Sequence, residues 1–372
     1  MRTVTAFIYQ HIIRNVLFLF PADSVHSVFL SLGRHLGKCK TIRVLTKKLW
    51  AYEEKNLQQN VLGLHFKNPV GLAAGFDYNA DLVNILPSIG FGFNTVGTLT
   101  LNRYDGNPAP MLGRLKKSHS LIVNKGFKNE SIIKVLSQID SSSYDGVRGV
   151  SIGVTNKEYP SFNDMIDNLI EGFRVAEQFD LFDYYELNIS CPNLRNIKHI
   201  DVRLDTPEGI LPALIRIQEL DIKRPILVKM PLEQPHETIA KLIDVIASFP
   251  CVKGLILSNL VKDRSNTLFD KEEIAAAGTG NFSGKPTEEQ SNALIRFAYK
   301  KYHNRFILIG TGGVFSASDA YKKIRYGATL VQMITGMVYQ GPQVVGDINQ
   351  GLSELLLRDG YKHISEAVGV DA

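Results

Sequence analysis

The 372-residue chain is 44% hydrophobic and 21% charged, the make-up of a globular protein with room for one large domain and an appendage, or for two ordinary domains. Its three cysteines, Cys39, Cys191 and Cys251, are odd in number and hold no C-x-x-C pair, which argues against a disulfide framework or a metal-binding zinc cluster and suits a reducing, cytosolic compartment. The net charge of +5 is unevenly placed: residues 1–50 carry eight Lys/Arg against one acid, Asp23, so the body sums to −2 and does not read as a nucleic-acid binder.

The basic head has helical periodicity. Phe7, Ile8, Ile12, Leu17 and Phe20 fall roughly on one helix face, and Pro21 breaks that helix. Asp23 or Ser24 can cap a second helix, along which Val25, Val28, Phe29, Leu32 and Leu36 recur. Two short amphipathic helices with basic flanks can lie on an anionic membrane surface, or can pack as a hairpin on the main domain. No small-residue cleavage site follows the apolar stretch from Val16 to Phe20, and no uncharged run reaches the ~18 residues needed to span a bilayer. Neither a signal peptide nor a spanning helix is therefore expected. The head is placed at 1–45 and the main domain at 46–372, with a connector at 45–65 holding the polar cluster from Glu53 to Asn60.

Beyond the connector, apolar and β-branched runs alternate with segments of helical period. Strands are predicted at 70–74, 93–96, 149–152, 184–189, 225–229, 254–257, 306–309 and 329–333. Helices are predicted between most of them, among others at 165–178, 237–247, 288–302 and 317–326. Eight such units over ~300 residues fit an α/β fold, a closed (β/α)8 TIM barrel with an N-terminal helical extension. A doubly wound open sheet is the alternative. In a barrel, chemistry sits just past the C-terminal ends of the strands. The unusual residues cluster there: Gly75-Phe76-Asp77, Gly97-Thr98, Gly153, Asn188 to Asn193, Lys229, Ser258-Asn259, Gly310 to Gly313 and Thr335-Gly336.

Asn188-Ile189-Ser190-Cys191-Pro192-Asn193 places a thiol between two neutral amides directly after an apolar run. That suits proton abstraction from a flat, polar, neutral-edged substrate such as a pyrimidine ring; the plainer reading is a buried cysteine at a Pro turn. A thiol, with an ordinary pKa of ~8.5, needs no strongly basic neighbour. Gly310-Thr311-Gly312-Gly313, followed by a helix starting at Ser316 to Ser318, offers amides to a phosphate, and Thr335-Gly336 on the adjacent strand can join the same anion. Lys229 ends an apolar strand and requires an anionic partner, for which a reduced flavin qualifies; otherwise it snorkels to the rim. No G-x-G-x-x-G after the first strand, P-loop or H-E-x-x-H is present. His11, His26, His65 and His119 are scattered and read as structural or surface residues.

These motifs together resemble those of the dihydroorotate dehydrogenase family of FMN barrel enzymes. The match runs from about Pro21 to Pro342. It is carried by Asn68-Pro-Val-Gly-Leu-Ala-Ala-Gly-Phe-Asp77, Gly90-Phe-Gly, Gly97-Thr98, Asn188 to Asn193, Val228-Lys229, Ser258-Asn259, Phe282-Ser-Gly-Lys-Pro286, Ile309-Gly-Thr-Gly-Gly313, and Leu330-Val-Gln332 through Gly341-Pro342. The head, with a Pro followed shortly by His26, is similar to the membrane-associated, quinone-using class. The resemblance implies oxidation of dihydroorotate to orotate in pyrimidine synthesis, with electrons passed through FMN to a quinone. It implies Cys191 as the proton-abstracting base and Lys229 as the residue beside the flavin's N1/O2 edge. Asn124, Asn188, Asn193 and Asn259 then fall on substrate contacts, and Ala74, Gly75, Thr98, Asn188, Lys229, Ser258, Gly284, Gly312, Gly313, Thr335 and Gly336 on FMN contacts. It also implies peripheral association with the cytoplasmic face of the inner membrane, or with the mitochondrial inner membrane in a eukaryote.

Departures from the family pattern are specific. Cysteine as base belongs to the soluble class, yet it accompanies a quinone-class head here. Tyr78 replaces a lysine, Ser151 a flavin-contacting asparagine, Ile334 a tyrosine, and Met111 an arginine tied to the quinone passage. Val123 stands at a family asparagine, unless that residue has shifted to Asn124. A competing reading is therefore the same barrel retuned to another dihydropyrimidine-like substrate or acceptor. Uridine reduction in RNA would require a basic groove that a body of −2 does not offer. A catalytically silent flavin module is at odds with an intact Cys191-Pro-Asn193 and Lys229.

Overall fold

The structure is a computed structural model that describes residues 1–139, 144–197, 199–257 and 259–372. Its centre is a closed barrel of eight parallel strands: β1 (Val70–Leu72), β2 (Phe93–Leu99), β3 (Val147–Ile152), β4 (Tyr184–Asn188), β5 (Ile226–Met230), β6 (Val252–Leu257), β7 (Ile307–Thr311) and β8 (Leu330–Met333). Each pairs with the next in sequence, and β8 closes on β1 from Val331↔Val70 to Met333↔Leu72. All eight predicted strands are present, and the closed sheet excludes the open doubly wound alternative.

The strands read as continuous apolar runs because both faces are covered. Every residue of β3, β4 and β5 is buried, between the barrel interior and an outer ring of helices. The ring includes Phe162–Phe179, His236–Ala247, Glu288–Tyr302 and Ala317–Arg325, close to the predicted spans. Ser316 caps the last of these, its hydroxyl accepting from the Asp319 amide at 3.2 Å. β2 runs further than predicted and carries Gly97 and Thr98 within it, through a register shift between Val96 and Leu99. That irregularity re-aims the strand end at the mouth.

The expected connector at 45–65 is structured. A helix, Lys40–Trp50, runs across residue 45, so the expected head boundary falls inside it. A hairpin of Gln59–Val61 and Leu64–Phe66 follows and seats Val61 and Phe66 against Phe93, Val147, Tyr184 and Leu330 at the N-terminal end of the barrel. Polar side chains such as Asn60 and His65 alternate outward, which made the hairpin resemble a linker.

The head begins with Arg2–Ile8, a π turn at Tyr9–Ile13 and Arg14–Leu17, followed by Ala22–Lys38 and then Lys40–Trp50. Pro21 precedes the helix Ala22–Lys38, but neither expected cap operates. Pro21 itself sits at the N-cap, without a side-chain bond. Asp23 instead reaches across to accept from the amides of Met111 and Leu112 at 3.0 and 3.1 Å. The head is also bound through Tyr9 to the Val338 carbonyl (2.9 Å), Arg14 to the Tyr339 carbonyl (3.1 Å) and Arg2 to Asp347 (3.1 Å). It is therefore packed on the barrel, while Val4, Phe7, Ile12, Val16, Leu19, Phe20 and Val28 remain exposed on it. Among the described residues, no helix is long and apolar enough to cross a membrane.

Candidate active site

One cavity of about 370 Å³ joins the C-terminal mouth of the barrel to the head. Thr98, Asn188, Cys191, Asn193, Lys229 and Asn259 line it at the mouth, and Leu17, Phe18, Val25, Phe29, Leu36 and Trp50 line it at the head. Ala74 and Gly75, just beyond β1, complete the mouth wall. Residues spread over most of the chain meet here because each follows a different strand of the same closed barrel.

The mouth is a directed polar chain. Asn188 donates to Thr98 Oγ1 at 2.9 Å, Thr98 and Ser151 share a 2.9 Å hydroxyl contact, and Ser151 donates to Glu186 Oε1 at 2.7 Å. Since Ser151 spends its proton on the carboxylate, Thr98 must donate to Ser151. Glu186 is fully buried, and its Oε2 has no hydrogen-bond partner. Lys229 Nζ lies 3.7 Å from Glu186 Oε1. The anionic partner that Lys229 required is thus supplied by the protein itself, on the adjacent strand β4.

Cys191 lies just beyond β4 in the loop that also holds Asn193. Burial pushes its thiol up to about 11, while the Asn193 backbone amide, Lys229 and Lys262 pull it down. The ordinary thiol value assumed from sequence does not hold in this site, because the barrel mouth removes water from the sulfur. Asn193 donates to the Val123 carbonyl at 3.1 Å and accepts from Asn281 at 2.6 Å. Asn259 donates to Ser190 Oγ at 2.8 Å. Ser258 falls outside the described residues.

Asn124 is held from the side. Its Oδ1 accepts from Asn107 at 3.0 Å, and its flanking residues Val123 and Lys125 line the cavity wall. Asn107 was not singled out by the sequence, yet it also donates to the Asn193 carbonyl at 2.9 Å and accepts from the Tyr104 hydroxyl at 2.5 Å. It anchors the loop that carries Cys191. Nothing marks it in the surrounding Gly106-Asn107-Pro108, which reads as an ordinary turn.

Beside the cavity, the turns after β7 and β8 pack together. Gly312 and Gly313 have φ of 93° and 74°. A Cβ on Gly313 would lie 2.5 Å from Glu288 Cβ, and one on Gly336 would lie 2.1 Å from the Val314 carbonyl. Gly284, at φ 89°, would place a Cβ 2.3 Å from the His119 carbonyl. Ser283 and Thr335 share a 2.7 Å hydroxyl contact between these turns. Only glycine fits this shelf, and two hydroxyls face each other across it. Gly310 belongs to β7 and makes room for Ile295 of the neighbouring helix.

His26 is not a surface histidine. It lies in the cavity wall between Phe76 and Lys125, with Nε2 2.9 Å from the Phe76 carbonyl and Nδ1 3.0 Å from Lys125 Nζ. Tyr78 packs beside both. The sequence reading missed Lys125 and Glu186. Glu186 carried a signal, since a carboxylate within the apolar run of β4 is costly without a partner.

A closed barrel with a half-buried thiol, a bonded polar mouth, a glycine shelf beside it and an apolar passage has the layout of a barrel oxidoreductase. The dihydroorotate dehydrogenase family model matches residues 56–356. A dihydroorotate dehydrogenase (quinone) of Roseiflexus sp. (strain RS-1) is 36% identical over 364 residues, 96% of this chain and 97% of that protein. One from Trichodesmium erythraeum (strain IMS101) is 35% identical over 340 residues, 89% of this chain and 87% of that protein. The crystal structure of ligand-free type DHODH from Eimeria tenella superposes with a TM-score of 0.77 at 28% identity, covering 91% of this chain and 98% of that one. The chain belongs to the dihydroorotate dehydrogenase family, whose members use a flavin.

Proposed function

We propose that this protein oxidises dihydroorotate to orotate, with FMN as cofactor and a quinone as electron acceptor, while held at a membrane surface by its head. One observation carries the reading: Asn188, Cys191, Asn193, Lys229 and Asn259 line a single cavity that continues into an apolar passage through the head. A planar polar substrate and an apolar acceptor can thus both reach one centre.

The residues present fit FMN. The glycine shelf of Gly284, Gly312, Gly313 and Gly336, with Ser283 and Thr335, would hold its phosphate through backbone amides and hydroxyls. Ala74, Gly75 and Thr98 leave room for a flat ring, and Lys229 would face its polar edge. When bound, FMN supplies the acceptor for the two electrons leaving the substrate. Asn188, Asn193 and Asn259 orient the dihydropyrimidine ring through neutral amide bonds. Cys191 Sγ takes the proton from the saturated ring carbon. Only the thiolate can do so, and the nearby Lys229 and Lys262 favour that form against the cost of burial. The exposed apolar face of the head and its excess of basic residues fit an anionic lipid surface.

Stopped-flow mixing with dihydroorotate tests the reading. Purified protein is expected to be yellow, to release FMN on denaturation and to bleach with dihydroorotate when no acceptor is present. Yellow protein that dihydroorotate does not bleach would favour a retuned substrate. Tyr78 and the inward chain from Ser151 to Glu186 are the departures that would account for it.

A further inference from the structure

The substrate chemistry above leaves a half-buried cation of the cavity wall, Lys125, unused. Lys125 follows the strand Ser120–Val123, and its Nζ lies 3.0 Å from His26 Nδ1 and 4.3 Å from the centre of the Tyr78 ring. The bond has a defined direction. The Phe76 carbonyl can only accept, so His26 Nε2 carries the hydrogen and Nδ1 accepts from Lys125. Burial and the adjacent Lys125 hold the His26 pKa down to about 3, so the ring stays neutral in this role.

The charges around Lys125 come from three directions. Asp23 and His26 face it from the head helix, Tyr78 from the loop after β1, and Lys128 from its own segment. Asp23 is engaged by the amides of Met111 and Leu112 and favours the ammonium from a distance. Burial dominates and brings the Lys125 pKa down to about 7, with Asp23 opposing and Lys128 assisting. The group can therefore both hold and release a proton at neutral pH. It lines the cavity that both the polar mouth residues and the apolar head residues line, and its partner His26 belongs to the head.

We propose that Lys125 donates a proton to the quinone, with His26 as the positioning residue that aims it. The inference rests on the reading given under Proposed function. Dihydroorotate loses one proton, to Cys191, and one hydrogen with its electron pair. The quinone becomes a quinol by gaining two electrons and two protons. One hydrogen comes with the electron pair from the reduced enzyme, and the other comes from Lys125. Its N–H bond breaks as an O–H bond forms on the quinone oxygen, and the neutral amine regains a proton from water. Because His26 belongs to the head, Lys125 is aimed only when the head is docked.

The test follows the oxidative half-reaction alone. Holoenzyme reduced with dithionite is mixed with a short-chain quinone from pH 6 to 9, in the parent, Lys125→Met and Lys125→Arg. In the parent, reoxidation should slow as pH rises through about 7, because the donor loses its proton there. Lys125→Met should reoxidise on the order of 10²-fold more slowly and without that pH break. Lys125→Arg restores a charge but holds its proton, with a pKa above about 12, so it should stay slow. Ferricyanide takes electrons alone and should reoxidise all three proteins equally. A parental quinone rate in Lys125→Met overturns the assignment. So does full rescue by arginine, which would make the role one of charge, or an equal slowing with ferricyanide. Bleaching by dihydroorotate is measured separately, so the substrate reading can stand while the proton donor fails, and the reverse.

Discussion

At the barrel mouth, polar side chains are bonded to one another in sequence, from Asn188 through Thr98 and Ser151 to Glu186, and the Cys191 thiol shares the cavity wall with Asn188 and Thr98. In the head, Phe7, Ile12, Leu19 and Phe20 stand exposed, and bonds such as those of Asp23 and Arg14 tie it to the barrel at the seam. The contrast fits the two tasks proposed above for these regions. Orienting a polar ring needs groups whose directions are set before it arrives. Admitting an apolar molecule from a lipid surface needs apolar area with little directional demand. Three of the departures from the family pattern, Tyr78, Met111 and Ile334, fall where the two regions meet, with Lys125 beside Tyr78, while Ser151 lies in the polar chain of the mouth. Tyr78, Lys125 and Ile334 line the shared cavity, and the Met111 amide is bound to Asp23 of the head.

The comparison can be broken most sharply at Cys191. Cys191→Ala should slow flavin reduction by dihydroorotate by ~10²–10⁴-fold, the range for losing a general base, and leave quinone reoxidation untouched. In the parent, the thiolate fraction should rise about tenfold per pH unit towards about 11, and flavin reduction with it. A flat profile from pH 7 to 10, or an alanine variant that bleaches at the parental rate, removes Cys191 as the base.

A second, smaller effect tests how far the mouth depends on its internal ion pair. Glu186→Gln keeps a partner for Ser151 but leaves the Lys229 ammonium buried without its carboxylate. Stability should fall by about 3 kcal/mol, read as a lower urea midpoint. An unchanged midpoint would show that Lys229 reaches water or another anion.

The smallest effect concerns the head. Phe7→Glu should weaken sedimentation with anionic vesicles by roughly tenfold or more, since burying such a ring contributes ~1.5–3 kcal/mol. Raising salt should weaken binding of the parent too, as the basic residues become screened. Flavin reduction by substrate should not change in this variant. Parental vesicle binding by the glutamate variant would assign the exposed face to something other than lipid.

The eight strands and the residues past their ends were legible because they depend on local pattern. A strand covered on both faces must be apolar throughout, as β3, β4 and β5 are, and closure of a parallel sheet places every strand end at one mouth. Cys191, Lys229 and the glycine shelf could therefore be named from sequence. Partnerships across the sheet could not. That Glu186 meets Lys229, that Asp23 binds Met111 and Leu112 rather than capping its own helix, and that Asn124 accepts from Asn107 while Lys125 donates to His26 are all set by register and packing between distant segments. Burial is decided the same way. The composition of the Cys191 loop leaves the thiol at its ordinary pKa, and only the closed barrel, by excluding water from the sulfur, moves it to about 11.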